Sequence, residues 1–154
     1  MPEWLLAPPR GSDDRAWLRM RIALWPDGSP TEHLAAMAEA LARSLYVRLA
    51  LDSAGAAVGF VEAAKRSDYV NGTTSSPVAF LEGLYVEPAA RRRGVARVLV
   101  ESVVGWALEQ GLSELASDSL IDNASAHAAH RGLGFAETER VVCFLRPLRR
   151  PRSA

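Results

Sequence analysis

Residues 91–96 read Arg-Arg-Arg-Gly-Val-Ala, three like charges side by side followed at once by glycine and small apolar residues. Adjacent cations repel, so such a run is a solvated surface stretch, a nucleic-acid patch or a cradle for an anion. The neighbouring sequence favours the cradle. Gly94 lets the backbone approach a ligand with no Cβ in the way. The helix expected after it opens with N–H groups that lack intrahelical partners and carry the positive end of the dipole. Arginine side chains added at that point make a site for a pyrophosphate. Nucleic-acid binding favours basic residues spread along a face, often with aromatics between them, and here one cluster leads straight into an apolar helix. Neither the Gly-Lys-Ser/Thr of a P-loop nor the G-x-G-x-x-G of a dinucleotide turn is present.

Carboxylates supply the second chemistry. Glu82 interrupts the apolar run "VAFLEGLYV" (78–86), where a charge needs a partner or a task. One such partner would be an arginine. Gly83 beside it suits a strand bulge, which would splay the chain from its neighbour and leave room for an extended ligand arm. Backbone groups of Leu84 and Val86 are then free to pair with that arm as an added strand would. Asp118 follows a short strand, at the place where ligands meet open α/β sheets, or it is a plain turn residue. Cys143 is the only cysteine. It lies in "RVVCFLRP" with no basic neighbour, so it reads as a core residue and not as a nucleophile.

The elements that must position these groups follow from periodicity and punctuation. "EWLLAP" (3–8) reads as a strand closed by two prolines. "SDDRAWLRMRIALW" (12–25) and "PTEHLAAMAEALARSL" (30–45) read as capped amphipathic helices. "YVRLALD" (46–52) and "AVGFVEAAKR" (57–66) flank a turn and read as a hairpin, and 78–86 as an apolar strand. A helix is expected over 94–111, a short strand over 113–117, a capped helix over 122–134 and a last strand over 135–148. The order β-α-α-β-β-β-α-β-α-β predicts an α/β (α+β) fold, a mixed sheet with helices on both faces. With 154 residues and no linker or repeat, one domain over 1–154 is expected.

Bulk composition sets the remaining limits. No apolar run reaches the roughly 20 residues of a membrane helix, and the first residues are too weakly apolar for a signal peptide. One cysteine allows no intrachain disulfide, so a cytoplasmic protein with no membrane association is expected. The net charge of zero conceals an asymmetry. Arg91, Arg92, Arg93 and Arg97 lie in one loop and Arg146, Arg149, Arg150 and Arg152 near the C-terminus, leaving 10 basic residues against 18 acids, about −8, elsewhere. A basic spot on an acidic body suits two ligands of opposite sign.

The segment "LEGLYVEPAARRRGVARVLV" resembles the strand-to-helix segment of the GCN5-related N-acetyltransferases, whose signature is Gln/Arg-x-x-Gly-x-Gly/Ala. Arg91, Gly94 and Ala96 fill its fixed positions. Over most of the chain, and most densely from 66 to 146, "RSDYVNG", "LASD", "GFAETER" and "IALWPDG" resemble the aminoglycoside 6′-N-acetyltransferases of one bacterial resistance subgroup. The resemblance implies that fold, acetyl-CoA as co-substrate with no metal, and direct acetyl transfer to the 6′-amine of a polycationic drug. It implies cofactor contacts from Leu84, Tyr85, Val86, Arg91, Arg92, Arg93, Gly94, Val95, Ala96, Arg97 and Asn123. Asn123 serves equally as a plain helix cap. It implies substrate contacts from Trp25, Tyr69, Glu82, Asp118 and Glu139, with Glu82 and Asp118 catalytic. Trp25 is alternatively a core residue at its helix end.

Two departures stand out. Many members of the superfamily carry a tyrosine on the penultimate helix as general acid to the leaving thiolate. Here "DNASAHAAHRGLGF" has none, and His130 lies nearest that position, so the acid is His130 or solvent. The subgroup can also carry a histidine just after the Trp-Pro pair, where this chain has Asp27 and Gly28. A protein N-terminus or a polyamine is the alternative substrate. A non-catalytic acyl-CoA-binding module is disfavoured by the acids Glu82, Asp118 and Glu139. The resembling enzymes are commonly homodimers, and "VVCFLRPL" (141–148) offers an apolar strand for such an interface.

Overall fold

The computed structural model describes residues 3–153. Five strands form one sheet in the order β1 (Leu5–Ala7), β2 (Tyr46–Leu51), β3 (Ala57–Arg66), β4 (Val78–Val86) and β5 (Leu115–Ala116). The first four are antiparallel neighbours, and β4 and β5 are parallel. The helices are α1 (Arg15–Leu24), α2 (Pro30–Ala42), α3 (Val95–Glu109) and α4 (Ala124–Gly132).

Local chemistry sets the helix starts. Asp14 accepts from the backbone N–H groups of Ala16 and Trp17 and so caps α1. Ser29 and Glu32 form a reciprocal capping box at α2, with Pro30 in its first turn. Alternation along the strands divides the core between the two faces of the sheet. Val61 and Ala63 of β3 join Leu99 and Val103 of α3 on one face. Phe60 joins Trp17 and Met20 of α1 and Met37 of α2 on the other. Helices therefore cover both faces, as the element order predicts. None of the helices among the described residues is long and apolar enough to cross a membrane.

The expected strand over 135–148 does not form among the described residues: the segment pairs with no edge of the sheet, although β5 and the end of β4 leave edges open. From Phe135 onward the described chain has no regular structure. Its apolar side chains from Val141 to Leu148 stand in solvent, Phe144 at 93% and Leu145 at 90% exposure. Cys143 is exposed with them and is not the core residue that its apolar neighbours suggest.

Candidate active site

The loop between β4 and α3 shapes the first half of the site. Gly94 caps α3 in the left-handed region, φ +84°, which favours glycine. A Cβ built on it meets nothing within 4 Å, so its open side faces free space. A cavity of about 550 Å³ lies there, lined by Leu84, Tyr85, Val86, Arg91, Arg92, Gly94, Val95, Ala96, Arg97 and Asn123. Of the cofactor contacts expected from the sequence, all but Arg93 line this space. The Arg93 side chain instead pairs with Glu3 and lies over the Trp4 ring, 4.9 Å from its centre. Arg91 donates from Nε to the Val86 carbonyl at 2.9 Å, and Arg97 from a terminal nitrogen to the Gly132 carbonyl at 3.1 Å. Asn123 caps α4, accepting from the Ala126 N–H at 3.1 Å, which leaves its amide donors available to the cavity. Burial first, and then the adjacent Glu87 carboxylate, push the Tyr85 phenol above its ordinary value, so the wall of this cavity stays neutral at that point.

The bulge shapes the centre. Glu62 of β3 faces Gly83 of β4 while Ala63 faces Leu81, so Glu82 is the extra, unpaired residue. On its other edge β4 meets β5 only at Ala79 and Phe80. Beyond Phe80 that edge has no strand beside it among the described residues, the splay that the glycine suggests. Trp25 packs on the bulge so closely that a Cβ on Gly83 would lie 2.5 Å from its Cη2. Behind Trp25 lies a buried pair that sequence reasoning does not single out. Arg21, 8% exposed, binds Glu62, 3% exposed, and its guanidinium stands 4.6 Å from the centre of the Trp25 ring. The Trp17 indole donates to the same carboxylate at 2.8 Å. Glu62 inside the apolar strand "AVGFVEAAKR" is the available sequence signal, since a buried carboxylate requires a partner.

The third part is a cavity of about 430 Å³ whose walls include Arg66, Tyr69, Phe80, Ser117, Asp118, His130 and Glu139. Tyr69, Asp118 and Glu139 are thus brought together from the β3–β4 loop, the end of β5 and the C-terminal segment. Loop and segment touch, for a Cβ on Gly72 would lie 2.3 Å from Thr138 Oγ1. Glu82 itself lines neither cavity, and its tie to the acid-lined one is Arg66, a wall residue that donates to both of its carboxylate oxygens at 2.9 and 2.8 Å. The arginine partner weighed for Glu82 is therefore real. Each oxygen keeps a further lone pair for a water or an ammonium group. Trp25 lies at the bulge, half-buried, and lines neither cavity. His130 links α4 to β5. Its Nδ1 lies 2.7 Å from the Ala126 carbonyl and its Nε2 2.8 Å from Ser117 Oγ.

The two cavities share β4 and α4. Phe80 and His130 face one, Leu84 and Ala129 the other. An anion cradle thus adjoins an acid-lined chamber across the open edge of a strand, the geometry for a phosphate-tailed donor meeting a cationic acceptor.

Comparison with known proteins agrees. Residues 14–135 match the model of the acetyltransferase (GNAT) family. An aminoglycoside N(6′)-acetyltransferase type 1 of Serratia marcescens is 53% identical over 136 residues, covering 86% of this chain and 92% of that protein. The crystal structure of the aminoglycoside 6′-N-acetyltransferase AAC(6′)-Ih from Acinetobacter baumannii superposes with a TM-score of 0.89 at 42% identity, covering 94% of this chain and 99% of that one. AAC(6′)-Iy, solved in complex with the bisubstrate analogue CoA-S-monomethyl-acetylneamine, gives a TM-score of 0.88 at 38% identity, covering 96% and 100%. The chain therefore belongs to the GNAT acetyltransferases, acetyl-CoA-dependent enzymes, and within them to the type 1 aminoglycoside 6′-N-acetyltransferases.

Proposed function

We propose that this protein transfers the acetyl group of acetyl-CoA to the 6′-amine of an aminoglycoside by direct attack in a ternary complex, and so confers resistance to the drug. The observation that carries the proposal is the meeting of Tyr69, Asp118 and Glu139 around one cavity that abuts the glycine cradle across the bulge at Glu82. An aminoglycoside carries several ammonium groups, and carboxylates are their natural partners. In AAC(6′)-Iy the donor and an aminoglycoside fragment are bound as one linked molecule, which supports a shared site of this kind.

In this mechanism the pyrophosphate of acetyl-CoA binds at Gly94 and the N-terminus of α3, and the arm lies along Leu84 and Val86. Asp118 and Glu139 hold ammonium groups, Tyr69 flanks the sugar rings, and Trp25 backs the bulge at Gly83. Proximity within the ternary complex replaces a bimolecular encounter. The 6′-ammonium passes a proton to a water held by Glu82, with Asp118 assisting. The freed lone pair attacks the thioester carbon and a C–N bond forms; the nitrogen gives up its second proton to water, the C–S bond breaks, and the departing thiolate takes up a proton. A carbonyl oxygen only accepts, so His130 donates from Nδ1 to Ala126, and its Nε2 is engaged with the Ser117 hydroxyl. That leaves solvent as the donor to the thiolate. Because acetyl-CoA is the donor, the reaction belongs to the cytoplasm.

The exposed apolar side chains from Val141 to Leu148 support a homodimer in which this segment finds its cover on a second copy. The test of the reaction is a panel of aminoglycosides with acetyl-CoA. Compounds with a 6′-amine should gain one acetyl group at that nitrogen, located by mass spectrometry and NMR. Analogues with a 6′-hydroxyl should bind and inhibit while reacting far more slowly. An acetyl group on a 2-deoxystreptamine amine, or no reaction with any 6′-amino compound, would refute the regiochemistry.

A further inference from the structure

Trp4 has no role in the reaction as described so far, yet it is tied to the anion cradle three times. It is 5% exposed and belongs to the same buried cluster as Ala90 and Val95, the residues that bracket the arginine loop. Its indole N–H donates to the Arg93 carbonyl at 3.2 Å, across 89 positions of sequence. Its ring face receives the Arg93 guanidinium, which Glu3 holds from the outside.

The hydrogen bond has a consequence for the next peptide group. In a planar trans peptide the C=O and the following N–H point in opposite directions. Anchoring the Arg93 carbonyl on the buried indole turns the Gly94 N–H away from the core. Gly94 lines the cradle and Arg93 does not. The Gly94 N–H has no backbone acceptor among the described residues, as a donor kept for an anion requires. The same contact draws one of three adjacent cations aside, so that Arg91 and Arg92 face the cavity without a third charge competing for the space.

We propose that Trp4 is a positioning residue for acetyl-CoA. It fixes the Arg93–Gly94 peptide so that the Gly94 N–H meets the pyrophosphate, and with Glu3 it stows the Arg93 side chain outside the cradle. The proposal rests on the cradle being the pyrophosphate site. Buried tryptophans ordinarily find an acceptor for their N–H, so the test must separate positioning from mere core packing.

Titration with CoA and with pantetheine, which lacks the nucleotide and its pyrophosphate, makes that separation. The native protein should bind CoA far more tightly than pantetheine, and equal affinities would remove the cradle reading and this proposal with it. Trp4→Phe keeps most of the buried ring and deletes the N–H. It should weaken CoA about tenfold, the effect of misdirecting one hydrogen bond to a charged group, and shift pantetheine less than about twofold. Equal loss for both ligands, or no loss for either, overturns the role of Trp4 while leaving the cradle standing. A second measurement does not depend on the variant folding. In the native protein CoA, and not pantetheine, should move the Gly94 amide proton downfield in NMR spectra, and an unmoved Gly94 amide overturns the proposal.

Discussion

Arg66 grips Glu82 with a fork, Nε to one carboxylate oxygen at 2.9 Å and a terminal nitrogen to the other at 2.8 Å. The guanidinium itself lies over Phe80, 3.6 Å from the ring centre. Glu82 is the residue that the bulge of β4 leaves without a partner across the sheet. A flexible carboxylate at the only irregular point of the β3–β4 ladder is thereby locked in one orientation, with a further lone pair on each oxygen.

Replacing Glu82 with Gln preserves shape and removes the charge that draws a proton from the amine. Steady-state kinetics should show kcat lower by roughly 100-fold or more, with acetyl-CoA binding unaltered. An unchanged kcat at saturating substrate would move Glu82 to a purely structural role beside Arg66.

Gly94→Asp places a side chain at φ +84°, where L residues are strained, and a negative charge where a pyrophosphate binds. Calorimetry should find acetyl-CoA affinity reduced at least about tenfold, about 1.4 kcal/mol. Normal binding by the folded variant would count against the phosphate cradle.

Glu114 reaches across to the loop before β4. The Ser75 hydroxyl, and after it the Thr74 N–H, hold its carboxyl below the usual carboxylate value. Stability from such a group is complete above the carboxylate value of the unfolded chain and is lost as the pH falls through the lower folded value. Glu114→Gln should therefore lower the Tm at pH 7, and the gap to the native protein should close in acid. Thermal melts from pH 7 to pH 2 with a constant gap would show that the loss comes from something other than charge.

Phe144 and Leu145 are almost wholly exposed on a segment with no regular structure. If a second copy covers them, the native protein sediments as a dimer at micromolar concentration. Phe144→Glu and Leu145→Glu, which bury a charge in that interface, should then shift it to monomer. Sedimentation of the native protein as monomer alone would dispose of the homodimer.

Most of the scaffold is legible in the sequence because its signals are local. Asp14, the Ser29–Glu32 box and Pro30 mark helix starts through contacts within a few residues. Apolar runs bounded by turn residues delimit β3 and β4, whose observed spans, Ala57–Arg66 and Val78–Val86, coincide with the runs read from sequence. The cradle is legible for the same reason. A loop of arginines, one glycine and the start of a helix are neighbours in the chain.

What only the tertiary structure decides is which distant groups meet. Glu82 reads as a lone charge in an apolar strand until β3 brings Arg66 alongside it. Three adjacent arginines read alike until Trp4, far away in sequence, takes hold of one of them. Glu62, Arg21 and Trp25 become one stack only when α1 packs on the sheet. The C-terminal segment shows the limit from the other side. Its apolar pattern is that of a strand, but a strand requires an edge to pair with, and no stretch of sequence states whether it pairs with one.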